Sequence, residues 1–273
     1  MADRELRIGD IGNDVKLAQD LLNRIGMLLD DDGHFGAATQ SAVRDAQQLG
    51  ELKVTGQIDF ATWTWLRAQP EPSPDIATKA VTFIAKEEVG NRAYYESHAA
   101  HPSFPGGKSG VTIGVGYDLR FQTRDGFTGD WKRVLSREQL DALLPFVGRQ
   151  GSAEIVRELM TIVVPWREAW TVFIQRLLPT YVSRTRAAFL GFDRLNSLLR
   201  GVLVSLVYNR GTKMEGNDRR EMREIRDAVQ AGNLDVIPQA ISSMKRLWPN
   251  SEGLRLRRVR EAELFREGLL NGN

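Results

Sequence analysis

The sequence predicts a mainly α-helical protein of two domains, with one small β ribbon in the second. Three observations predict it. Apolar residues recur at helical spacing through most of the chain, one nine-residue stretch alternates with period two, and three prolines within residues 70–74 break the chain after a small first part. Composition sets the bounds. The 273 residues suffice for two compact domains, and 42% hydrophobic with 26% charged residues is ordinary for a folded soluble protein. There is no cysteine, which excludes a disulfide framework and cysteine chemistry, and the three histidines, His34, His98 and His101, argue against a histidine-rich metal site. Charge is uneven. Residues 1–69 carry 7 Lys and Arg against 11 Asp and Glu, net −4, and the remainder carries 30 against 24, net +6. A mildly basic second part suits an anionic polymer, while no interleaved basic and aromatic patch argues for nucleic acid.

Residues 6–66 read as short helices joined by turns. Asp14 is placed to cap a first helix with the stripe Val15, Ala18, Leu21, Leu22 and Ile25, ended by Gly26. Asp30-Asp31-Asp32-Gly33 has turn chemistry. Thr39 or Ser41 opens a second helix through Ala42, Val43 and Ala46, stopped at Gly50. A faint repeat follows: Gly33-x-Phe35-x-x-x-Thr39 is echoed by Gly56-x-Ile58-x-x-x-Thr62, each a glycine turn, an apolar plug and a helix-starting threonine.

Ile8-Gly9-Asp10-x-Gly12-x-Asp14-Val15, Ala18-Gln19-x-x-Leu22, Asp32-Gly33-x-Phe35-Gly36-x-x-Thr39-x-x-Ala42-Val43, then Gly56 and Thr62-Trp63 together resemble the peptidoglycan-binding domain 1 family. The resemblance covers nearly all of residues 6–66. It implies a three-helix bundle over residues 1–69 that holds bacterial cell-wall polymer without cutting it. Gln47-Gln48 stands where that family often has Phe-Gln, so the packing should differ there.

Gln69-Pro70-Glu71-Pro72-Ser73-Pro74 forbids helix and favours an extended, semi-rigid spacer, which gives a linker at 70–75 and a second domain at 76–273. Asp75 is placed to cap the next helix. Its apolar side is Ile76, Ala80, Val81, Phe83 and Ile84, and it runs to about Val89 with Gly90 as C-cap. Glu88 lies four residues after Ile84 and seven after Val81, which turns it to the packed side, at the negative end of the helix dipole. Both effects should raise its pKa, as a general acid requires. From the residues alone, an exposed glutamate at a frayed helix end is the commoner case, and the adjacent Glu87 competes for the role.

Asn91 to Gly110 reads as an irregular connection. Then comes the period-two stretch. Val111, Ile113, Val115, Tyr117 and Leu119 are apolar, and Thr112, Gly114, Gly116 and Asp118 alternate with them. The glycines make either a shallow floor for a polar ligand, with Thr112 and Asp118 at its rim, or the turn of a half-buried hairpin; the residues alone favour the hairpin. Phe121 to Arg200 is helical in pattern, with Trp166, Trp170 and Phe173 as core. Leu203 to Gly211 reads as a buried helix ending at glycine, where Asn209 is either a plain cap or an amide offered to a ligand. Arg258 and Glu261 suit a surface pair on a terminal helix.

The order Glu88, a loop, Gly110-Val111-Thr112-Ile113-Gly114-x-Gly116, then Asp118 resembles the lysozyme-like muramidases of the phage lysozyme superfamily. The Tyr117-Asp118 ending is closer to their pesticin-like branch. The resemblance spans roughly residues 78–266. It implies an α+β lysozyme-like domain that hydrolyses, with inversion, the β-1,4 bond between N-acetylmuramic acid and N-acetylglucosamine. In that reading Glu88 protonates the leaving oxygen, and Asp118, helped by Thr112, activates water on the opposite sugar face. Asn209, Tyr117, Gly114 and Gly116 would contact substrate. No metal or organic cofactor is expected; the expected partner is peptidoglycan, bound by a monomer, with no nucleic acid and no membrane span. A lytic transglycosylase and a non-catalytic wall-binding protein are the alternatives. Met1-Ala2-Asp3-Arg4-Glu5 lacks an apolar signal core, and the apolar run from Gly201 to Tyr208 is too short to cross a bilayer. The chain is therefore expected to be made in a bacterial cytoplasm and to reach the wall by holin-type release, as a phage endolysin, or by non-classical export, as an effector or bacteriocin.

Overall fold

The computed structural model describes residues 4–270. It is mainly helical, and the sheet among the described residues has two strands. The chain forms two compact units: residues up to Pro72 with Ala85–Leu177, and Ser73–Ile84 with the residues from Leu178 on. Among the described residues no helix is long and apolar enough to cross a membrane.

The first unit opens with three helices, α1 (Asn13–Arg24), α2 (Ala37–Leu49) and α3 (Phe60–Arg67), with α1 packed on both others. Leu6, Val15, Leu22, Phe35, Val43, Trp63 and Leu66 form their shared core. Each such side chain stabilises the bundle by about 1.5–3 kcal/mol relative to exposure. The repeat seen in the sequence is built twice around a buried glutamine. Gln19 Oε1 accepts from the Gly33 N–H at 2.9 Å, and its amide nitrogen donates to His34 O at 3.1 Å and Thr39 Oγ1 at 3.3 Å. Gln47 Oε1 accepts from the Gly56 N–H at 2.9 Å, and its amide nitrogen donates to Gln57 O at 2.8 Å and Thr62 Oγ1 at 3.0 Å. Gly33 and Gly56 sit at φ +78° and +73°, which brings each N–H onto its glutamine without a Cβ penalty. Gln47 is thus a polar clamp inside the bundle.

The helix starts correct the sequence reading. α1 begins after Gly12, and Asp14 pairs with Arg4 instead of capping. α2 begins after Gly36, so neither Thr39 nor Ser41 opens it. Asp59 caps α3, accepting from the Thr62 N–H at 2.8 Å. Thr39 and Thr62 both stand third in their helices, where the hydroxyl meets a glutamine amide inside the bundle.

The bundle is bonded to the rest of its unit. The Trp166 indole donates to Gly26 O at 2.7 Å, and a Cβ on Gly26 would lie 2.7 Å from the Trp170 ring. Asp45 pairs with Arg92 at 2.6 Å, and Asp30 with Lys86. Arg24 reaches Gln69 O at 3.4 Å and pairs with Glu71 at 3.3 Å, which holds the start of the proline-rich segment. The unit continues with the end of α4 (Thr78–Val89), α5 (Arg92–Tyr94), β1 (Thr112–Ile113), β2 (Tyr117–Asp118), α6 (Arg124–Trp131), α7 (Arg137–Leu143), α8 (Ala153–Glu158) and α9 (Trp166–Val172). Trp166, Trp170 and Phe173 are core, as the sequence indicates. The segment after Gly90 is more regular than its sequence suggests: Asn91 caps α5, and a wider π turn follows at Tyr95–Ala99, pinned by Tyr95 Oη donating to Val164 O at 2.9 Å.

The second unit holds the start of α4 with α10 (Leu178–Ala188), α11 (Ser197–Arg210), α12 (Arg220–Ala231), α13 (Ile237–Ser243) and α14 (Glu252–Leu270). α11 packs on α10 and α14, and α13 on α12 and α14. Asp75 does not cap α4. It pairs with Arg186, and the Ser73 hydroxyl takes the Asp75 and Ile76 N–H groups at 3.2 and 3.3 Å. α4 crosses α11 at Gly201, where a Cβ would lie 2.1 Å from that of Ala80. Asn196 caps α11 through the N–H groups of Leu198 and Leu199. Arg258 and Glu261, expected at the surface, are both fully buried at 3.0 Å, with Ser205 Oγ donating to Glu261 at 2.6 Å. Their three-residue spacing suits a wet face or a dry one, and the packing of α14 on α11 makes it dry.

Candidate functional site

The period-two stretch folds as a tight hairpin. Burial alternates through it without exception: Val111, Ile113, Val115, Tyr117 and Leu119 are buried, and Thr112, Gly114, Gly116 and Asp118 are half-buried. The strands are only two residues each, and Gly114, Val115 and Gly116 make the turn. Gly114 and Gly116 take φ +57° and +72°, the left-handed conformation that a three-residue turn requires. A Cβ on Gly114 would press on Trp131 at 3.1 Å. Gly114 and Gly116 therefore make the turn of the hairpin.

The hairpin brings two of the predicted residues together. Thr112 pairs with Asp118 across the antiparallel register, which places their Cβ atoms about 4.5–5.5 Å apart on one face. Thr112 also exchanges backbone hydrogen bonds with Ser103, each at 2.8 Å, so it lies between two neighbours. Its hydroxyl oxygen is buried and makes no hydrogen bond among the described residues. Asp118 is anchored by one oxygen: Oδ1 accepts the N–H groups of Gly110 and Arg120, both at 2.9 Å. Gly110 has to be glycine, since a Cβ there would lie 2.6 Å from that same oxygen. Gly151 backs onto Gly110 just as closely, and its N–H donates to Ser109 O at 3.0 Å. The carboxylate is thus held rigid by two backbone N–H groups.

Tyr117 is corrected. It is buried, its hydroxyl donates to Asp130 at 2.8 Å, and its ring meets Trp131 edge to face at 5.4 Å. Burial first, then the Asp130 bond, push its hydroxyl pKa well up. It stiffens the hairpin from below as a core residue, in place of the exposed substrate contact expected of it.

Glu88 departs from the sequence argument in one respect. At 100° per residue it lies within about 20° of Val81 around the helix, on the face where Val81, Ile84 and Ala85 are fully buried. Glu88 is nevertheless exposed, while Val89 after it is buried and Glu87 is half-buried. The covering chain reaches Val89 and leaves Glu88 open, so the burial expected of it is not found. Gly90, at φ +74°, closes the helix with its N–H on Lys86 O at 2.8 Å. Just beyond, Tyr94 is exposed and stacked on His98 at 4.6 Å.

Asn209 belongs to the second unit, in the last turn of α11, which Gly211 ends at φ +69°. Its Oδ1 accepts from Arg258 at 3.3 Å, and it lines a pocket of about 260 Å³ with Arg210, Arg219, Trp248 and Leu254. The pocket was not foreseen. Trp248 carries no periodic signal, and Arg210 and Arg219 read as surface charge until α11 and α14 are packed.

Comparison with known proteins assigns the first part of the chain. Residues 11–66 match the family model described as "Putative peptidoglycan binding domain". The match supports peptidoglycan as a partner. Among curated proteins none matches. Among solved structures the chain is similar to the crystal structure of Burkholderia AP3 phage endolysin, at 16% identity over 99% of this chain and 100% of that one, with a TM-score of 0.24.

Proposed function

We propose that this protein is a cell-wall hydrolase that binds peptidoglycan through residues 11–66 and cuts the glycan after N-acetylmuramic acid. The observation that carries the reading is the Thr112–Asp118 pair. A carboxylate with one oxygen fixed by two backbone N–H groups, paired across the hairpin with a hydroxyl that makes no hydrogen bond among the described residues, is suited to hold and polarise a water molecule. Glu88, open at the end of α4, is the proton donor to the leaving oxygen, and Asp118 is the base for the attacking water. The family match supports the substrate, because a domain of the peptidoglycan-binding kind brings the polymer to the rest of the chain. Holin-type release or another export route brings such a chain to the wall.

Zymography on purified peptidoglycan, with mass spectrometry of the new ends, tests this. The native chain should clear the gel and leave reducing muramic ends. Asp118→Asn and Glu88→Gln should each lower clearing by about two to four orders of magnitude, with Glu87→Gln near native. Anhydro ends would replace the hydrolase with a transglycosylase. Binding to sacculi with no clearing by the native chain would leave a wall-binding protein without catalysis.

A further inference from the structure

The pocket at the end of α11 has the make-up of an anion site. Arg210 and Arg219 line it, with the Asn209 amide, the Trp248 indole and Leu254. Arg210 is only 9% exposed, and among the described residues its buried Nε–H makes no hydrogen bond; the Nε–H of Arg219 is buried in the same state. Arg210 spends one terminal nitrogen on Asp218 O, and its guanidinium lies 4.9 Å from the Trp248 ring centroid. Buried donors of a charged group are costly when unmade, so such an edge is normally met by an acceptor.

The local carboxylates do not supply that acceptor. Glu221 is taken by Arg246 at 2.6 Å and by Arg220 at 3.0 Å. Glu261 Oε1 is taken by Arg258 at 3.0 Å and Arg257 at 3.3 Å, and its Oε2 makes no hydrogen bond among the described residues, Arg210 and Arg219 included. Asp218 stands 3.7 Å from Arg219 Nε, beyond hydrogen-bond distance, and its side chain is 63% exposed. Cations therefore outnumber carboxylates around the pocket. Burial, together with Arg219 and Arg258, pushes Arg210 down to about 10, the direction a crowded cation takes when its counter-ion is missing.

We infer that this pocket binds the carboxylate end of a peptide: the guanidinium edges of Arg210 and Arg219 take the carboxylate, Asn209 takes the adjoining amide, and Trp248 with Leu254 covers the side chain. A guanidinium fork matches a carboxylate in two parallel bonds, which a neutral amide cannot reproduce. The proposed wall function makes the ligand the peptide stem borne on muramic acid, and the inference rests on that reading for the ligand's origin only.

Calorimetric titration of the full chain with muramyl dipeptide, against the same compound with its carboxylate amidated, tests the pocket. The acid should bind saturably, and the amide roughly tenfold or more weakly. Arg219→Gln should weaken the acid to the level of the amide at an unchanged melting temperature. Arg210→Gln should do the same where it folds; Arg219, nearer the surface, keeps the test decisive where it does not. Equal affinity for acid and amide, or full affinity in Arg219→Gln, overturns the inference. If the chain clears peptidoglycan but ignores the dipeptide, the pocket proposal falls and the wall reading stands. If the dipeptide binds through Arg219 while sacculi are neither bound nor cleared, the reverse holds.

Discussion

At the scale of single residues, Thr112 separates structure from function. Its buried hydroxyl makes no hydrogen bond among the described residues, and such a group costs the fold about 1–3 kcal/mol. Thr112→Val, with the same shape, should leave stability unchanged or raise it by about 1 kcal/mol, yet sharply slow peptidoglycan clearing. Urea denaturation and a turbidity assay on one preparation check both halves; a variant that clears the wall normally removes Thr112 from the site. The alternation that singled out Thr112 and Asp118 was legible because a period of two is a local property of extended chain. Tyr117 follows from the same alternation as a core residue, and assigning it to substrate set a family pattern above its own place on the buried face. Glu88 shows the opposite limit. Helical angle puts it on the packed face, but only the tertiary structure decides how far along that face the cover extends.

At the scale of elements, two glutamine clamps pin the glycine turns of the first bundle onto its helices. Gln47 is fully buried and satisfies the N–H groups of Thr55 and Gly56, together with Gln57 O and Thr62 Oγ1. Gln47→Leu keeps most of the volume and strands several polar groups, so it should destabilise the protein by about 2–4 kcal/mol. Gln19→Leu should cost a similar amount. Chemical denaturation measures both, and a loss below about 1 kcal/mol for each would show that water replaces the clamp. The echo of Gly33 and Gly56 was visible in the sequence, because a left-handed turn demands glycine locally. Gln19 and Gln47 stand out in the sequence only as parts of a motif; their role as clamps was not visible, because they stand 14 and 9 residues before their glycines and no fixed spacing relates them. Helix starts were misread for a related reason: Asp14, Thr39 and Asp75 are competent caps, and each found a better partner in three dimensions.

At the scale of the molecule, the first bundle is part of a larger unit and not a module on a free tether. Gly26 carries the Trp166 hydrogen bond and lies against Trp170, and Asp45 holds Arg92. A chain beginning at residue 70 should therefore expose Trp166 and Trp170, melt at lower temperature than the full chain and bind a hydrophobic dye more strongly. A truncated chain as stable and as dye-inert as the full one would show that these contacts add nothing to the unit. The sequence by itself determined the helical class, the hairpin with its core and solvent faces, the glycine turns and the peptidoglycan-binding pattern of residues 6–66, which the family match meets over 11–66, because each is written in short-range spacing. Only the tertiary structure decided that Arg258 and Glu261 are buried, that Glu88 is open, that Asp118 is anchored by Gly110 and that Arg210 and Trp248 wall a pocket. Those outcomes depend on which surfaces meet across tens of residues, and no local period records that.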